Sequence, residues 1–152
     1  MNKRYLFIIA DRKFAKLLTF YDGALEEYKE ISDASVPQKV KSNKEEYDAK
    51  NARILRHIED HLHRHLQLIS KKIDEFVGLK PVHAVFIGGQ KNFHHLIRKH
   101  LSPNLQKKIA GEFVTELKVF QNKIVSHCER VIDNFVKKKG SLGEVGYNNE
   151  ET

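Results

Sequence analysis

Gly88-Gly89-Gln90 is the group of residues in this sequence whose types most directly suggest chemistry. Two residues without side chains followed by an amide can present main-chain groups and a glutamine to a reacting centre. That use requires the tip of a projecting, flexible loop able to enter a narrow site. A tripeptide of common residues is a weak signal alone, so its position in the fold must decide. Because a predicted helix follows, the two glycine amides could also form an anion-binding turn with Gln90. The plainer reading is a tight strand-to-helix turn that needs small residues. It is favoured because no second glycine signature and no acidic ribose-binding residue stands at the expected spacing.

A second group is the run His57, His61, His63 and His65. His57, His61 and His65 recur every four residues and line one column of a helix, where a pair at that spacing can hold zinc. A glutamate base within the motif and a third ligand of clear spacing are missing, so no metal is assigned. A polar helix flank or interface is the reading adopted. A third group lies in the polar stretch from Val36 to Glu45, with Gln38, Lys39, Lys41, Ser42, Asn43 and Lys44. Its lysines suit phosphate contact, and Gln38 or Asn43 could order a water. The bland alternative is a solvated loop.

The elements that must position these groups can be read from periodicity. Tyr5–Ala10 and Phe14–Tyr21 are predicted strands joined by the turn Asp11-Arg12-Lys13, and Asp22-Gly23 is a strong hairpin signal leading to a third strand, Ala24–Ile31. From Ser32 to Tyr47 no apolar period survives, which predicts a long exposed loop. A helix from about Glu46 to Val77 follows, with Ile54, Ile58, Leu62, Leu66, Ile69, Ile73 and Phe76 on one stripe and Gly78 as its stop.

Val82–Ile87 is nearly continuous in apolar residues, as expected of a central strand covered on both faces. Gly88-Gly89 then turns into a short helix, about Lys91–His100, that packs Phe93, Leu96 and Ile97. Ser102-Pro103 opens another turn of helix, Glu112–Leu117 is a last strand, and a final helix from about Val119 to Lys138 buries Ile124, Cys128, Val131, Ile132 and Phe135. Residues 140–152 are expected to be a mobile tail and residues 1–139 a single α/β domain. Its mixed β-sheet is an antiparallel β-β-β meander followed by α-β-α-β-α, flanked by helices. In that order Gly88-Gly89 is clamped between a buried strand and a helix, and such a turn cannot reach out without breaking the core.

Composition bounds the partners. With 152 residues, of which 40% are hydrophobic, the chain can bury a real core. Lys and Arg outnumber Asp and Glu by 27 to 20, for a net charge of +7, which favours an anionic partner such as RNA. The single Cys128 cannot form an internal disulfide, and a reducing cytoplasm fits. The apolar run that ends at Ala10 is too short for a signal-peptide core or a membrane span, so a soluble, intracellular protein with no membrane association is expected.

The stretches "RYLFIIADRKFAKLLTF", "ILRHIEDHLHRHLQLISKKIDEF" and "VHAVFIGGQKNFHHLIRKHLSPNLQKKIAGEF" carry a resemblance over about Tyr5 to Phe135. In order of elements the chain resembles the middle, catalytic domain of archaeal and eukaryotic class I peptide release factors. It looks closest to the bacterial archaeo-eukaryotic release factor-like proteins. In that family the catalytic Gly-Gly-Gln stands in the exposed loop leading into the long helix, which corresponds here to about Ser35–Tyr47. This sequence has no glycine between Gly23 and Gly78, and its own Gly-Gly-Gln falls at the end of the central strand, where relatives commonly have a structural turn.

The resemblance therefore implies a translation-related RNA- or ribosome-associated binding protein of release-factor-like fold, cytoplasmic, without the family's catalytic loop and calling for no cofactor. Its partners would be the ribosome or tRNA and rRNA, and a homo-oligomer stays open. Lys39, Lys41, Lys44, Lys50, Arg53 and Arg56 would form a basic track from the loop down the long helix, with Arg64, Lys71 and Lys72 further along. His94, His95, Arg98, Lys99 and His100 extend positive charge to another helix. The alternative is a peptidyl-tRNA hydrolase acting on stalled ribosomes through a remodelled loop at 36–45, with Gln38 or Asn43 orienting water. Hydrolysis is disfavoured because water positioning without glycine's backbone freedom is harder to build. A small-ligand or protein-interaction domain unrelated to RNA is a third class, since fold does not fix function.

Overall fold

The computed structural model describes residues 3–32 and 44–144. Five strands form one sheet in the order β3-β2-β1-β4-β5: β1 (Arg4–Ala10), β2 (Phe14–Tyr21), β3 (Ala24–Ser32), β4 (Ala84–Gly89) and β5 (Ile109–Glu112). The first three are antiparallel neighbours, whereas β4 runs parallel to β1 and β5 parallel to β4. The helices are α1 (Lys44–Val77), a 3₁₀ turn at Lys91–Phe93, α2 (His94–His100), α3 (Pro103–Gln106) and α4 (Gln121–Glu144). The mixed sheet with flanking helices is the architecture expected. By its internal contacts the chain divides into two units, residues 1–117 and 118–152.

The hairpins follow from local chemistry. Asp11 Oδ1 accepts hydrogen bonds from the Lys13 and Phe14 amides at 2.8 and 2.7 Å, closing the β1–β2 turn. Asp22 and Gly23 both take positive φ, 55° and 85°, as a two-residue turn between right-twisted strands requires. The central strand β1 has Leu6 to Ala10 wholly buried, and its alternation feeds two layers. Leu6, Ile8 and Ala10 join Leu17, Val85 and Ile87 against Leu66, Ile69 and Ile73 of α1 and Phe93 and Ile97 beside it. On the opposite side Phe7 stacks on Phe86 at 4.9 Å and meets Phe20 and Phe113 edge-on at 5.4 and 5.9 Å.

Boundaries shift in three places. β4 extends through Gly89 rather than stopping at Ile87, because both glycines pair with β1. The last strand is Ile109–Glu112, not Glu112–Leu117. Ala110 and Gly111 have poor strand propensity and hide it. Phe113 and Thr115 still donate to the Ile87 and Gly89 carbonyls, at 2.9 and 3.3 Å, without regular pairing. In the second unit α4 continues beyond Lys138 to Glu144, passing through Gly140 and Gly143. A glycine costs only about 1 kcal/mol in a helix interior, which an established helix tolerates.

Two polar devices tie unit 1 together. Lys16 is buried, and its ammonium donates to the Leu117 carbonyl at 2.6 Å with Glu30 at 3.8 Å. Lys16→Met removes a charge-assisted bond and leaves that carbonyl unsatisfied, so a loss of about 2 kcal/mol in urea unfolding is expected. At the opposite end of β1, Glu26 accepts from Arg4 at 2.9 Å and from Lys80 at 3.3 Å, and Lys80 also pairs with Glu27. Burial pushes the Glu26 carboxyl up, but the bonds from Arg4 and Lys80 and their charges outweigh it and hold it below its ordinary 4.5.

A depressed carboxyl contributes stability above its unfolded pKa and loses it as pH falls through the folded one. Native stability should therefore decline between about pH 5 and pH 3, and Glu26→Gln, which costs about 1 kcal/mol at neutral pH, should flatten that decline in denaturation curves.

In α4, Ile124, Cys128 and Ile132 are buried at helical spacing. Burial and the neighbouring Glu129 charge push the Cys128 thiol up to about 12. At neutral pH about one thiol in 10⁵ is then thiolate, so a thiol reagent should label the native protein only as fast as it opens, and at once in denaturant.

Candidate nucleic-acid interface

The tripeptide sits inside the sheet. Gly88 and Gly89 pair in parallel register with Ile9 and Ala10. A Cβ on Gly88 would stand 2.5 Å from the Phe113 ring, and one on Gly89, whose φ is 110°, would stand 2.3 Å from the Ala10 carbonyl oxygen. Both are glycines because a sheet and an aromatic layer close over them. Gln90 is exposed and extended, with φ −72° and ψ 132°, and its carbonyl accepts from the Phe93 amide at 3.0 Å. The three residues end a buried strand and start a helical turn, so no projecting loop carries them.

Of the basic track, Lys39 and Lys41, with Gln38 and Asn43, lie outside the described residues. Lys44, Lys50 and Arg53 fall on the first turns of α1, with side chains outside the described set. Arg56, Arg64 and Lys71 are exposed on α1, but so are Glu59, Asp60, Asp74 and Glu75, and Lys72 reaches Glu75 at 3.5 Å. The described part of the α1 face is thus mixed in charge.

The histidine column separates on folding. His65 is fully buried, with Nε2 3.0 Å from the Asp11 carbonyl oxygen, so it steadies the β1–β2 turn. His61 is half-buried, and the His57 side chain lies outside the described residues. His63 is exposed and faces His100 with ring centres 6.0 Å apart. Among the described residues no three His, Cys, Asp or Glu side chains come together as a metal would need.

The more one-sided surface lies on α2. His95, Arg98 and Lys99 are exposed there and, with Gln106 and Ile109, line an open groove of about 310 Å³. Glu112 on β5 receives Arg98 at 2.9 Å and His94 Nδ1 at 3.3 Å, so α2 is fastened to the edge of the sheet. The Gln106 side chain donates to the Arg98 carbonyl at 2.9 Å and joins α3 to α2. Sequence reasoning noticed these basic residues but centred the site on the loop before α1. The signal that could have ranked them higher is the lack of any Asp or Glu between Glu75 and Glu112.

Comparison with known proteins places this arrangement. The family described as bacterial archaeo-eukaryotic release factor family 10 matches residues 1–131. The chain belongs to that family. No curated protein matches it. Among solved structures, an archaeal protein superposes with a TM-score of 0.57 at 12% identity, covering 94% of this chain and 41% of the other. The archaeal translation termination factor aRF1 superposes with a TM-score of 0.55 at 16% identity, again covering 94% and 41%. At such identities the likeness is one of fold, and the family 10 chain spans less than half the length of either structure. Among its described residues no helix is long and apolar enough to cross a membrane.

Proposed function

We infer that this protein is a translation-related RNA- or ribosome-associated binding protein that acts in the cytoplasm without a Gly-Gly-Gln hydrolytic loop. Membership of a release factor family supports the link to translation. The observation that carries the rest is the position of Gly88-Gly89-Gln90, whose two glycines are paired within the sheet, while the stretch leading into α1 has no glycine at all. Chemistry at a peptidyl ester needs a mobile backbone and an amide brought to the ester, and a strand locked to its neighbour provides neither. Binding needs only charge and shape, for which the net charge of +7 is suited. Lys39, Lys41, Lys44, Lys50, Arg53 and Arg56 are the residues proposed to meet phosphates.

Cosedimentation with ribosomal subunits over a salt series tests this reading. Saturable binding that weakens steeply with salt, with no peptide released from peptidyl-tRNA, is expected. Absence of binding at low salt would overturn it. Turnover that is lost on changing Gln38 or Asn43 would replace it with a peptidyl-tRNA hydrolase.

A further inference from the structure

The surface around α2 carries a charge asymmetry that neither the tripeptide nor the loop before α1 uses. No Asp or Glu occurs between Glu75 and Glu112, whereas Lys80, Lys91, Arg98, Lys99, Lys107 and Lys108 all fall in that stretch. Folding gathers His95, Arg98 and Lys99 with Gln106 into the groove between α2 and α3, and exposed Lys107 and half-buried Lys108 follow directly on Gln106. The carboxylate nearest this surface, Glu112, is engaged by Arg98 and His94. It orients the guanidinium, whose five N–H donors exceed what one carboxylate can take. Arg98 remains half exposed.

The geometry points to this groove as a seat for the phosphodiester backbone of RNA; the inference rests on the RNA-binding reading above and adds to it residues of α2 and α3. Guanidinium, ammonium, amide and imidazole donors all suit phosphate oxygens. Among the described residues no Phe, Tyr or Trp lines the groove and the His95 imidazole is its one ring, so the lining presents donors rather than a stacking platform, and recognition is of the backbone rather than of sequence. An acidic peptide would call for apolar anchors beside the charges, and half-buried Ile109 is the single aliphatic residue among the described residues of the lining.

The test is fluorescence anisotropy with two short labelled RNAs of equal composition and permuted sequence, titrated with the full chain at several salt concentrations. The double variant His95→Ala/Lys99→Ala should bind both RNAs about 10-fold more weakly, and the slope of log affinity against log salt should shrink by about 1. Both side chains are exposed, so thermal melting should be unchanged, and Lys99→Arg alone should bind as the native chain does. Native RNA affinity in the double variant, no RNA affinity in the native chain, unequal affinity for the two RNAs, or equal competition from polyglutamate would each overturn the assignment. Ribosome cosedimentation of the native chain reports separately on the underlying reading. If it persists while the double variant binds RNA normally, the groove assignment falls and the reading stands.

Discussion

Gly89→Ala is expected to destabilise the protein by about 3 kcal/mol, lowering its melting temperature by roughly 10 °C. The reason is local and twofold. A φ of 110° is a conformation that a side chain strains against, and the added Cβ would approach the Ala10 carbonyl oxygen to 2.3 Å. That oxygen belongs to the central strand and cannot retreat without breaking the β1–β4 register. Gly88→Ala should cost less, about 1–3 kcal/mol, because its obstacle is the Phe113 ring, which can shift.

Gln90→Ala should stay within about 0.5 kcal/mol of the native chain, since its side chain is exposed and caps nothing. It should also leave ribosome association unchanged. A hydrolytic tripeptide predicts instead a Gln90 variant that is equally stable and still associates but no longer releases peptide. Melting curves of the three variants, beside a peptidyl-tRNA hydrolysis assay of the native chain and the Gln90 variant, separate the two accounts: turnover in the native chain that is lost in a stable Gln90 variant would contradict the structural one.

The second large effect concerns binding. Changing Lys39, Lys41 and Lys44 together to alanine should weaken ribosome association by about 10- to 100-fold at physiological salt and reduce the salt slope by about 2 to 3. Each lysine that meets a phosphate releases counterions, so affinity and salt slope must fall together. A lowered affinity at constant slope would mean that the loop acts through shape rather than charge. With stability, the same substitutions should do little, because lysines in a polar stretch contribute no core. The contrast with Gly89→Ala is the practical point: one variant loses stability, and the other loses only the partner.

Much of the architecture was legible before any coordinates. The Asp22-Gly23 turn, the apolar run before Gly88 and the stripe of Leu66, Ile69 and Ile73 are strong local signals, and each formed the element expected. The last strand lies earlier than its sequence suggests because Ala110-Gly111, poor in strand propensity, looks like a break. His65 showed the opposite difficulty. Its spacing suggested membership of a helix-flank column, and only the fold reveals that it reaches the Asp11 carbonyl inside the core.

The candidate site was legible in charge but not in place. Lys39, Lys41 and Lys44 stand out because they fall within one short stretch of sequence, whereas Arg98, Lys99 and Gln106 share a groove only after α3 folds against α2. A periodicity argument sees one element at a time and cannot anticipate that juxtaposition. The tripeptide is the instructive case: its residue types suit chemistry, while the apolar run before it predicts a strand, and Gly88 and Gly89 do pair with β1.

The central claim, association with the translation machinery through RNA, is most directly tested by cross-linking the protein to RNA in living cells and sequencing what it retains. The account predicts enrichment of ribosomal or transfer RNA well above a control protein of equal charge, with the enrichment reduced in the Lys39/Lys41/Lys44 variant. Recovery no greater than that of the charge-matched control would contradict it, and would leave the release-factor likeness as one of family and fold alone.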